Sequence, residues 1–112
     1  MAGSSPAMTW EGVERAAMRR GYVYILASGK NGTLYIGVTN NLSLRVYHHR
    51  IGRASKFTRR YSVTKLVWYE EYPTVPLAIQ RETSLKRWKR EWKIALIEKI
   101  NPDWEDLAPG LV

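Results

Sequence analysis

Cysteine is absent from this chain of 112 residues, and its absence excludes disulfide bonds, thiolate nucleophiles and cysteine-liganded zinc. No apolar run approaches the roughly 20 residues that a membrane-spanning helix needs. The first twenty residues also lack the continuous apolar stretch of a secretory leader. These absences predict a cytoplasmic protein without a membrane partner. A chain of this length is expected to form one compact domain with one site.

Acidic residues are missing from the whole segment 21–69, although the chain contains ten of them. The same segment carries eight Lys and Arg residues, so the formal net charge of +8 is concentrated there. A field of one sign, in a chain with a pI near 10, favours a polyanionic partner, of which nucleic acid is the commonest. The alternative is a basic soluble protein without such a partner.

Motifs of the common hydrolases are missing too: the chain has no serine or cysteine nucleophile motif, no HExxH sequence and no Walker loop. The two histidines, His48 and His49, are adjacent, and consecutive helix residues point about 100° apart. The two histidines therefore cannot both bind the same metal ion from one helix. Carboxylates with a fixed position are few, which favours one divalent ion over a two-metal nuclease site. The candidates are Glu70, Glu71, Glu82, Glu91 and Glu98.

Residues of high β propensity cluster in three short stretches bounded by turn signals. From about residue 75, apolar residues recur every three or four positions, which predicts two helices with a break near Trp88. Another helix is expected from about Asn41 to Ile51, with Gly52 as its stop. Strands early and helices late favour an α+β fold, a small, mostly antiparallel three-stranded sheet with helices covering one face. The strands are expected at residues 22–27, 33–39 and 65–72.

The first two strands predict a β-hairpin whose register the sequence leaves open. If Gly29-Lys30 forms the two-residue turn, Tyr24 lies opposite Tyr35 and the two phenols share a face. If Asn31-Gly32 forms it, the two phenols lie far apart along the ladder.

Composition divides the chain into three parts. Residues 1–20 are interpreted as an accessory leader, with Thr9 as the N-cap of a short helix. Residues 21–107 form the expected domain, and residues 108–112 form a C-terminal tail. Trp104 is expected to pin the otherwise irregular end of the chain to the body.

Two basic stretches are candidates for contact with DNA, or with RNA. The segment 53–60 has no apolar periodicity and predicts an exposed loop, in which Phe57 is either a core residue or a base-stacking side chain. The stretch 86–90 is either a DNA-facing patch or a solvated face around a core Trp88. The candidate nucleic-acid-binding residues are Arg53, Lys56, Arg59, Arg60, Lys86 and Lys89.

Five polar side chains stand out as candidates for chemistry. Arg45 and His49 lie one turn apart on one face of the expected helix, ten and fourteen residues after Tyr35. The planar fork of an arginine suits phosphate oxygens, although a solvated helix residue is the default for a lone arginine. Glu82 either faces inward, where it could bind a metal, or pairs on the surface with Lys86 four residues on. Tyr35, like Tyr24, can also be an ordinary strand aromatic.

Taken together and in order, these residues resemble the GIY-YIG nuclease family. The resemblance rests on Tyr24 in YVYIL, Tyr35 in LYIGV, Arg45 ten residues later and Glu82 in AIQRE, and it runs from about Gly21 to Leu107. Within the family, the chain is similar to a small stand-alone bacterial branch related to the nuclease domain of an excision-repair enzyme.

The resemblance implies a central three-stranded antiparallel sheet flanked by helices, and hydrolysis of DNA phosphodiesters with one Mg²⁺ or Mn²⁺. Tyr35 would act as, or assist, the general base on water, and Tyr24 would hold the water or phosphate. Arg45 would stabilise the pentavalent phosphate, and Glu82 would ligate the metal. His49 would lie near the site, where the family has His or Tyr. Asn101 is matched to a polar residue that some members place near the phosphate.

The sequence departs from the family pattern at two positions. Tyr22 replaces the first glycine of the motif, although Gly21 precedes it. Val38 stands where the repair nucleases have a lysine, which removes a cation that could lower the pKa of a phenol. No room remains for a separate DNA-binding domain, so we expect weak sequence specificity, or specificity supplied by a partner protein. The rival functions are a binding module that keeps the fold without cleavage and an RNA-binding or ribosome-associated protein.

Overall fold

The structure of the protein, a computed structural model, describes residues 20–111. Residues 1–19 of the expected leader, with the helix capped by Thr9, lie outside the described residues. None of the described helices is long and apolar enough to cross a membrane. The strands are β1 (Gly21–Ala27), β2 (Leu34–Thr39) and β3 (Lys65–Tyr72), and the helices are α1 (Leu42–Arg50), α2 (Lys56–Arg60), α3 (Val75–Arg87) and α4 (Arg90–Ile100), followed by a 3-10 helix at Ala108–Leu111.

The sheet has the order β2-β1-β3, and β1 pairs antiparallel with both neighbours. The α+β fold with a three-stranded antiparallel sheet is therefore confirmed. A register shift between Ile25 and Leu26 of β1 leaves Val67 of β3 unpaired, because Ile25 pairs with Trp68 and Leu26 pairs with Leu66. Such a bulge adds twist to a strand pair.

Both expected hairpin registers are wrong, because the turn is centred on Lys30 and Asn31. Asn31 adopts a left-handed backbone with φ of 58°, which asparagine tolerates better than most residues. Tyr24 consequently pairs with Gly37 rather than with Tyr35. Since residues two apart on a strand share a face, Tyr24 and Tyr35 are diagonal neighbours on the same face of the sheet.

Helices and the C-terminal segment cover both faces of the sheet, so the expectation that one face is covered is wrong. One face packs under α3 and α4 through a cluster that includes Val23, Ile25 and Trp104. The other face packs under α1 and the end of the chain through a cluster that includes Tyr24 and Val46. A central strand whose two faces are both covered is buried on both faces. The central strand β1 accordingly has apolar residues on each face.

The helix α1 has the expected bounds because both of its ends carry the appropriate signals. The Asn41 side chain accepts a hydrogen bond from the Leu44 amide, and Gly52 follows with φ of 76°. The sequence predicted a loop at residues 53–60. They are only partly a loop, because the short helix α2 forms within them. The Ser55 hydroxyl caps this short helix by accepting from the Phe57 and Thr58 amides.

The two C-terminal helices are separated at Trp88 and Lys89, which both adopt extended backbone with ψ of 149°. The predicted break near Trp88 is thus confirmed. The first of these helices, α3, begins with Thr74 as its N-cap and Pro76 in its first turn, where the missing proline N–H costs nothing. Beyond α4, the buried Trp104 donates its indole N–H to Glu98, which holds the end of the chain on the body as expected.

Candidate active site

Tyr24 and Gly37 form the floor of the candidate site. The paired strands β1 and β2 place the Tyr24 ring directly across Gly37. A Cβ atom at Gly37 would lie 2.5 Å from Tyr24 Cζ, closer than real Cβ contacts come. Only glycine therefore lets the phenol lie flat against the neighbouring strand. Gly37, which lies within β2, therefore has a packing reason that the sequence alone did not supply.

Three aromatic rings meet above this floor. The Tyr24 and Tyr35 ring centroids are 6.3 Å apart, and the His49 ring lies 5.7 Å from the first and 5.1 Å from the second. The His49 ring stands edge-on to both phenols. The structure thus brings together two strand tyrosines and one residue from α1, as their spacing in the sequence suggested.

His49 is 1% exposed and uses both ring nitrogens in hydrogen bonds. Its Nε2 atom lies 2.9 Å from the Tyr24 hydroxyl, and its Nδ1 atom lies 3.0 Å from the hydroxyl of Thr58 in α2. Burial, then the nearby positive charge of Arg45, then that of His48, lower the His49 pKa to about 4. The imidazole is therefore neutral at physiological pH.

Tyr24 is a protonated phenol over the whole physiological range. Burial is the main cause that raises its pKa well above the ordinary value, and Tyr35 and Glu82 raise it further. The positive charge of Arg45 opposes this shift. Charges of both signs, one from α1 and one from α3, therefore act on one phenol.

Glu82 combines the two alternatives that the sequence left open. Its side chain is 18% exposed, and its Oε2 atom lies 3.4 Å from Nζ of Lys86, whose side chain is 55% exposed. The Glu82 side chain is therefore largely buried, and its ion-pair partner Lys86 lines one depression together with Tyr35. In contrast, Glu70 contacts Arg81 and Tyr72, and Glu71 contacts Arg20.

The donor set fits a divalent ion held mainly by water and substrate. Within residues 20–111, no group of three or more His, Asp and Glu side chains could hold a metal together. Mg²⁺ does not need such a cage, because it keeps several waters and is usually bound through one or two carboxylates plus phosphate oxygens. Glu82, as a single carboxylate beside the cluster, satisfies that requirement.

Phe57 is not a core residue, because it is 43% exposed. Its ring lies 6.2 Å from the Tyr35 ring and 5.0 Å from the Tyr61 ring, with Arg60 stacked over Tyr61. These aromatics form a partly exposed row that leads away from the cluster. A depression of about 300 Å³ lies beside this row, lined by Leu34, Tyr35, Ile36, Phe57, Lys86 and Lys93.

All six candidate nucleic-acid-binding residues are exposed, but they lie in different places. Lys86 borders the site through Glu82 and the depression, and Arg60 borders the aromatic row. Lys89 instead lies over the Trp92 ring, at 5.4 Å from its centroid. The other three line a groove formed by residues that come after α1 in the chain: Arg53, Lys56 and Arg59.

Asn101 has a structural role in this chain, and its match to a residue near the phosphate stays a prediction. Its side-chain amide donates to the carbonyl oxygens of Val67 and Glu105, and its Oδ1 accepts from the Glu105 amide. These bonds use the buried side chain to join α4, β3 and the end of the chain.

Comparison with known proteins now bears on this arrangement. Residues 20–95 match the GIY-YIG catalytic domain. The chain belongs to the GIY-YIG family. The GIY-YIG domain is a nuclease domain, so the aromatic cluster lies in a nuclease fold, and the resemblance inferred from Tyr24, Tyr35, Arg45 and Glu82 is confirmed at the level of the family.

The relatives of this GIY-YIG chain are small bacterial proteins. A UPF0213 protein of Streptococcus sanguinis is 34% identical over 80 residues, covering 71% of this chain and 91% of that protein. A UPF0213 protein of Clostridium perfringens is 41% identical over 76 residues, covering 68% and 81%. The solution NMR structure of a UPF0213 protein from Bacillus halodurans aligns with a TM-score of 0.49 and 30% identity, covering 78% of this chain and 92% of that chain.

Sequence reasoning missed Thr58 and Ser55 in this GIY-YIG site. Thr58 is fully buried beside His49, and Ser55 caps the helix that carries it. A serine before a run of charged residues is a helix-start signal, which could have replaced the expected loop by a helix. No local signal pairs Thr58 with His49, because their contact depends on how α1 and α2 pack.

Proposed function

We propose that this protein is a divalent-metal-dependent endonuclease that hydrolyses DNA phosphodiester bonds with weak intrinsic sequence specificity. The observation that carries the proposal is the meeting of Tyr24, Tyr35 and His49 at one point, with the charges of Arg45 and Glu82 acting on the Tyr24 phenol. A structural cluster would not require a permanent cation and a carboxylate at the same place.

The two tyrosines would divide the work. The raised pKa of Tyr24 suits a residue that holds water or phosphate by hydrogen bonds and keeps its proton. Tyr35 is only half-buried and borders the depression, so it is the better placed to act as, or assist, the general base on water. Water would attack the phosphorus, and the bond from phosphorus to one ester oxygen would break.

Arg45, and a metal ion held by Glu82, would stabilise the negative charge of the phosphate. The guanidinium of Arg45 offers a planar fork to the oxygens of the pentavalent phosphate. Glu82 would hold a single Mg²⁺ or Mn²⁺ ion. When bound, such an ion supplies a Lewis acid that neutralises developing negative charge on the phosphate.

The exposed aromatic row and the basic residues around it support a nucleic-acid substrate. Partly exposed rings such as Phe57 can stack on bases of any sequence, and lysines and arginines contact the phosphate backbone. Neither interaction reads sequence. Specificity would then be weak, or supplied by a partner protein.

The rival is a module that binds DNA or RNA without cleaving it. A binding surface needs the basic and aromatic residues, but it does not need Tyr35, Arg45 and Glu82 around a buried histidine. Their presence together in a GIY-YIG domain favours catalysis.

The decisive experiment is incubation with labelled single-stranded, duplex and branched DNA, and with RNA, each with Mg²⁺, Mn²⁺ or EDTA. We expect cleavage of at least one DNA substrate that EDTA abolishes. Arg45→Ala should lose this cleavage, and Arg87→Ala, which removes an exposed arginine at the end of α3, should keep it. Binding without cleavage in every condition would favour the binding module, and cleavage of RNA alone would contradict DNA as the substrate.

A further inference from the structure

A buried chain of hydrogen bonds runs from the Tyr24 hydroxyl through His49 and Thr58 to a backbone carbonyl. The distances are 2.9 Å from the Tyr24 oxygen to His49 Nε2 and 3.0 Å from His49 Nδ1 to the Thr58 oxygen. The Thr58 hydroxyl in turn lies 3.2 Å from the carbonyl oxygen of Ser55. Tyr24, His49 and Thr58 are all within 1% of full burial.

The carbonyl at the end of this chain sets the direction of every bond in it. A carbonyl oxygen only accepts, so the Thr58 hydroxyl donates its one proton to Ser55. The Thr58 oxygen must then accept from His49, which places the histidine proton on Nδ1. A neutral imidazole has one N–H, so Nε2 accepts, and the Tyr24 hydroxyl is its donor. The neutral state of His49 is independently expected from the pKa of about 4.

The position of Thr58 is built into α2. Ser55 caps this helix through its side chain, and its carbonyl oxygen also accepts the amide of Arg59. The Thr58 carbonyl accepts the amide of Val63, a fully buried residue. Backbone hydrogen bonds therefore hold the chain on both sides of Thr58, and they fix the direction of its hydroxyl toward His49.

We propose that Thr58 is a positioning residue for the nuclease reaction: it fixes the His49 proton on Nδ1 and thereby commits the Tyr24 proton to His49, so that the Tyr24 oxygen can only accept hydrogen bonds from other groups. The proposal rests on the proposed nuclease function for its catalytic consequence, but the position of the proton does not depend on that function. With its proton committed to His49, the Tyr24 oxygen presents lone pairs. It can accept a hydrogen bond from water or from Arg45, and it cannot donate one to a phosphate oxygen.

The opposite tautomer would reverse this polarity. An N–H at Nε2 would donate a hydrogen bond to the Tyr24 oxygen, and the Tyr24 hydroxyl proton would point away from His49. Water held by an acceptor keeps both of its lone pairs free for attack on phosphorus, whereas a donor would occupy one of them. The tautomer of a buried histidine thus decides what Tyr24 can hold.

The test compares Thr58→Val, which removes the hydroxyl at nearly constant shape, with Thr58→Ser, which keeps it. The tautomer is read by nitrogen NMR of the imidazole at pH 7, where a protonated and an unprotonated ring nitrogen have distinct shifts. His48→Gln leaves His49 as the single histidine and assigns the signals. Thr83→Val, which removes an exposed threonine hydroxyl in α3, is the matched control.

We expect the proton on Nδ1 in the wild type, in Thr58→Ser and in Thr83→Val, and a shift of population to Nε2 in Thr58→Val. If the wild type cleaves DNA, kcat should fall about 10- to 100-fold in Thr58→Val with KM nearly unchanged, and Thr58→Ser should restore it. A proton on Nε2 in the wild type would overturn the proposal, even if Thr58→Val does not fold. An unchanged tautomer in a folded Thr58→Val would overturn it too. A nuclease assay without activity would remove the proposed function while the NMR result still decided the tautomer.

Discussion

Acid should destabilise this protein through His49, because its imidazole is buried in the neutral form. The folded-state pKa of about 4 lies below the ordinary value of 6.5, with burial as the main cause and the charges of Arg45 and His48 next. The unfolded state therefore binds more protons between these two values, and stability rises with pH there. The contribution is fully present above pH 6.5 and is lost as pH falls toward 4.

The size of the effect follows from the difference between the two pKa values. Each unit corresponds to about 1.4 kcal/mol, so His49 alone should lower the free energy of unfolding by about 1.4 kcal/mol at pH 5.5 and about 3 kcal/mol at pH 4, relative to pH 7. Small domains are typically stable by about 5–15 kcal/mol. One histidine can therefore remove a large share of the total.

Urea unfolding of the wild type and of His49→Gln at pH 7, 5.5 and 4 measures this contribution. Glutamine keeps a donor and an acceptor but does not titrate, so the wild type should lose about 3 kcal/mol more than the variant between pH 7 and pH 4. Carboxylates titrate in both proteins and cancel in the comparison. His48→Gln, outside the buried chain of hydrogen bonds, is the matched control and should keep most of the wild-type dependence. Equal pH dependence in His49→Gln and wild type would refute the buried neutral imidazole.

Gly37→Ala should lower the free energy of unfolding by about 1–3 kcal/mol, measured in urea, because the added methyl group collides with the phenol that lies across it. Tyr35→Phe should lose most cleavage in a gel assay while thermal stability stays nearly unchanged, because only a hydroxyl is removed. Arg45→Lys should restore little of the cleavage lost in Arg45→Ala, since a point charge does not replace the fork. Replacing Arg59 and Arg60 together by Gln should weaken DNA binding and reduce the salt slope by about two units in fluorescence anisotropy.

Matched controls exist for the last three of these changes. Tyr47→Phe removes a hydroxyl from an exposed tyrosine of α1, and Arg87→Lys changes an exposed arginine at the end of α3. Arg87 and Lys99 replaced together by Gln remove the same charge elsewhere on the surface. Loss of activity in either of the first two, or an equal change of salt slope in the third, would show that the predicted effects are not local.

The sequence predicted the elements that carry their own boundary signals. The helix α1 has Asn41 before it and Gly52 after it, and β3 is a run of β formers that ends at Pro73. The tyrosines, Arg45 and Glu82 were identified for a different reason, because their order and spacing resemble a known family.

One missed feature has a local cause, and the others depend on contacts between distant segments. The hairpin register is decided by Asn31, which tolerates a left-handed backbone. The sequence pointed instead to turns that contain one of the two nearby glycines. The short α2 has no apolar periodicity and depends on the cap of Ser55 and on the packing of Thr58 beneath α1. Cover on the second face of the sheet comes from α1 and from the last residues of the chain, whose pattern looked irregular.

The most direct measurement of the proposed metal-dependent nuclease is the cleavage rate of Glu82→Gln across a titration of Mg²⁺. The substitution keeps size and helix propensity but removes an anionic oxygen that a hard cation prefers. Lys86→Gln breaks the ion pair from its other side, and Glu91→Gln makes the same chemical change on the exposed surface of α4. We predict that Glu82→Gln loses cleavage at ordinary Mg²⁺ concentration and keeps DNA binding, that Lys86→Gln weakens DNA binding and keeps the Mg²⁺ dependence, and that Glu91→Gln changes neither. Full Mg²⁺-dependent cleavage by a folded Glu82→Gln protein would contradict Glu82 as the metal ligand.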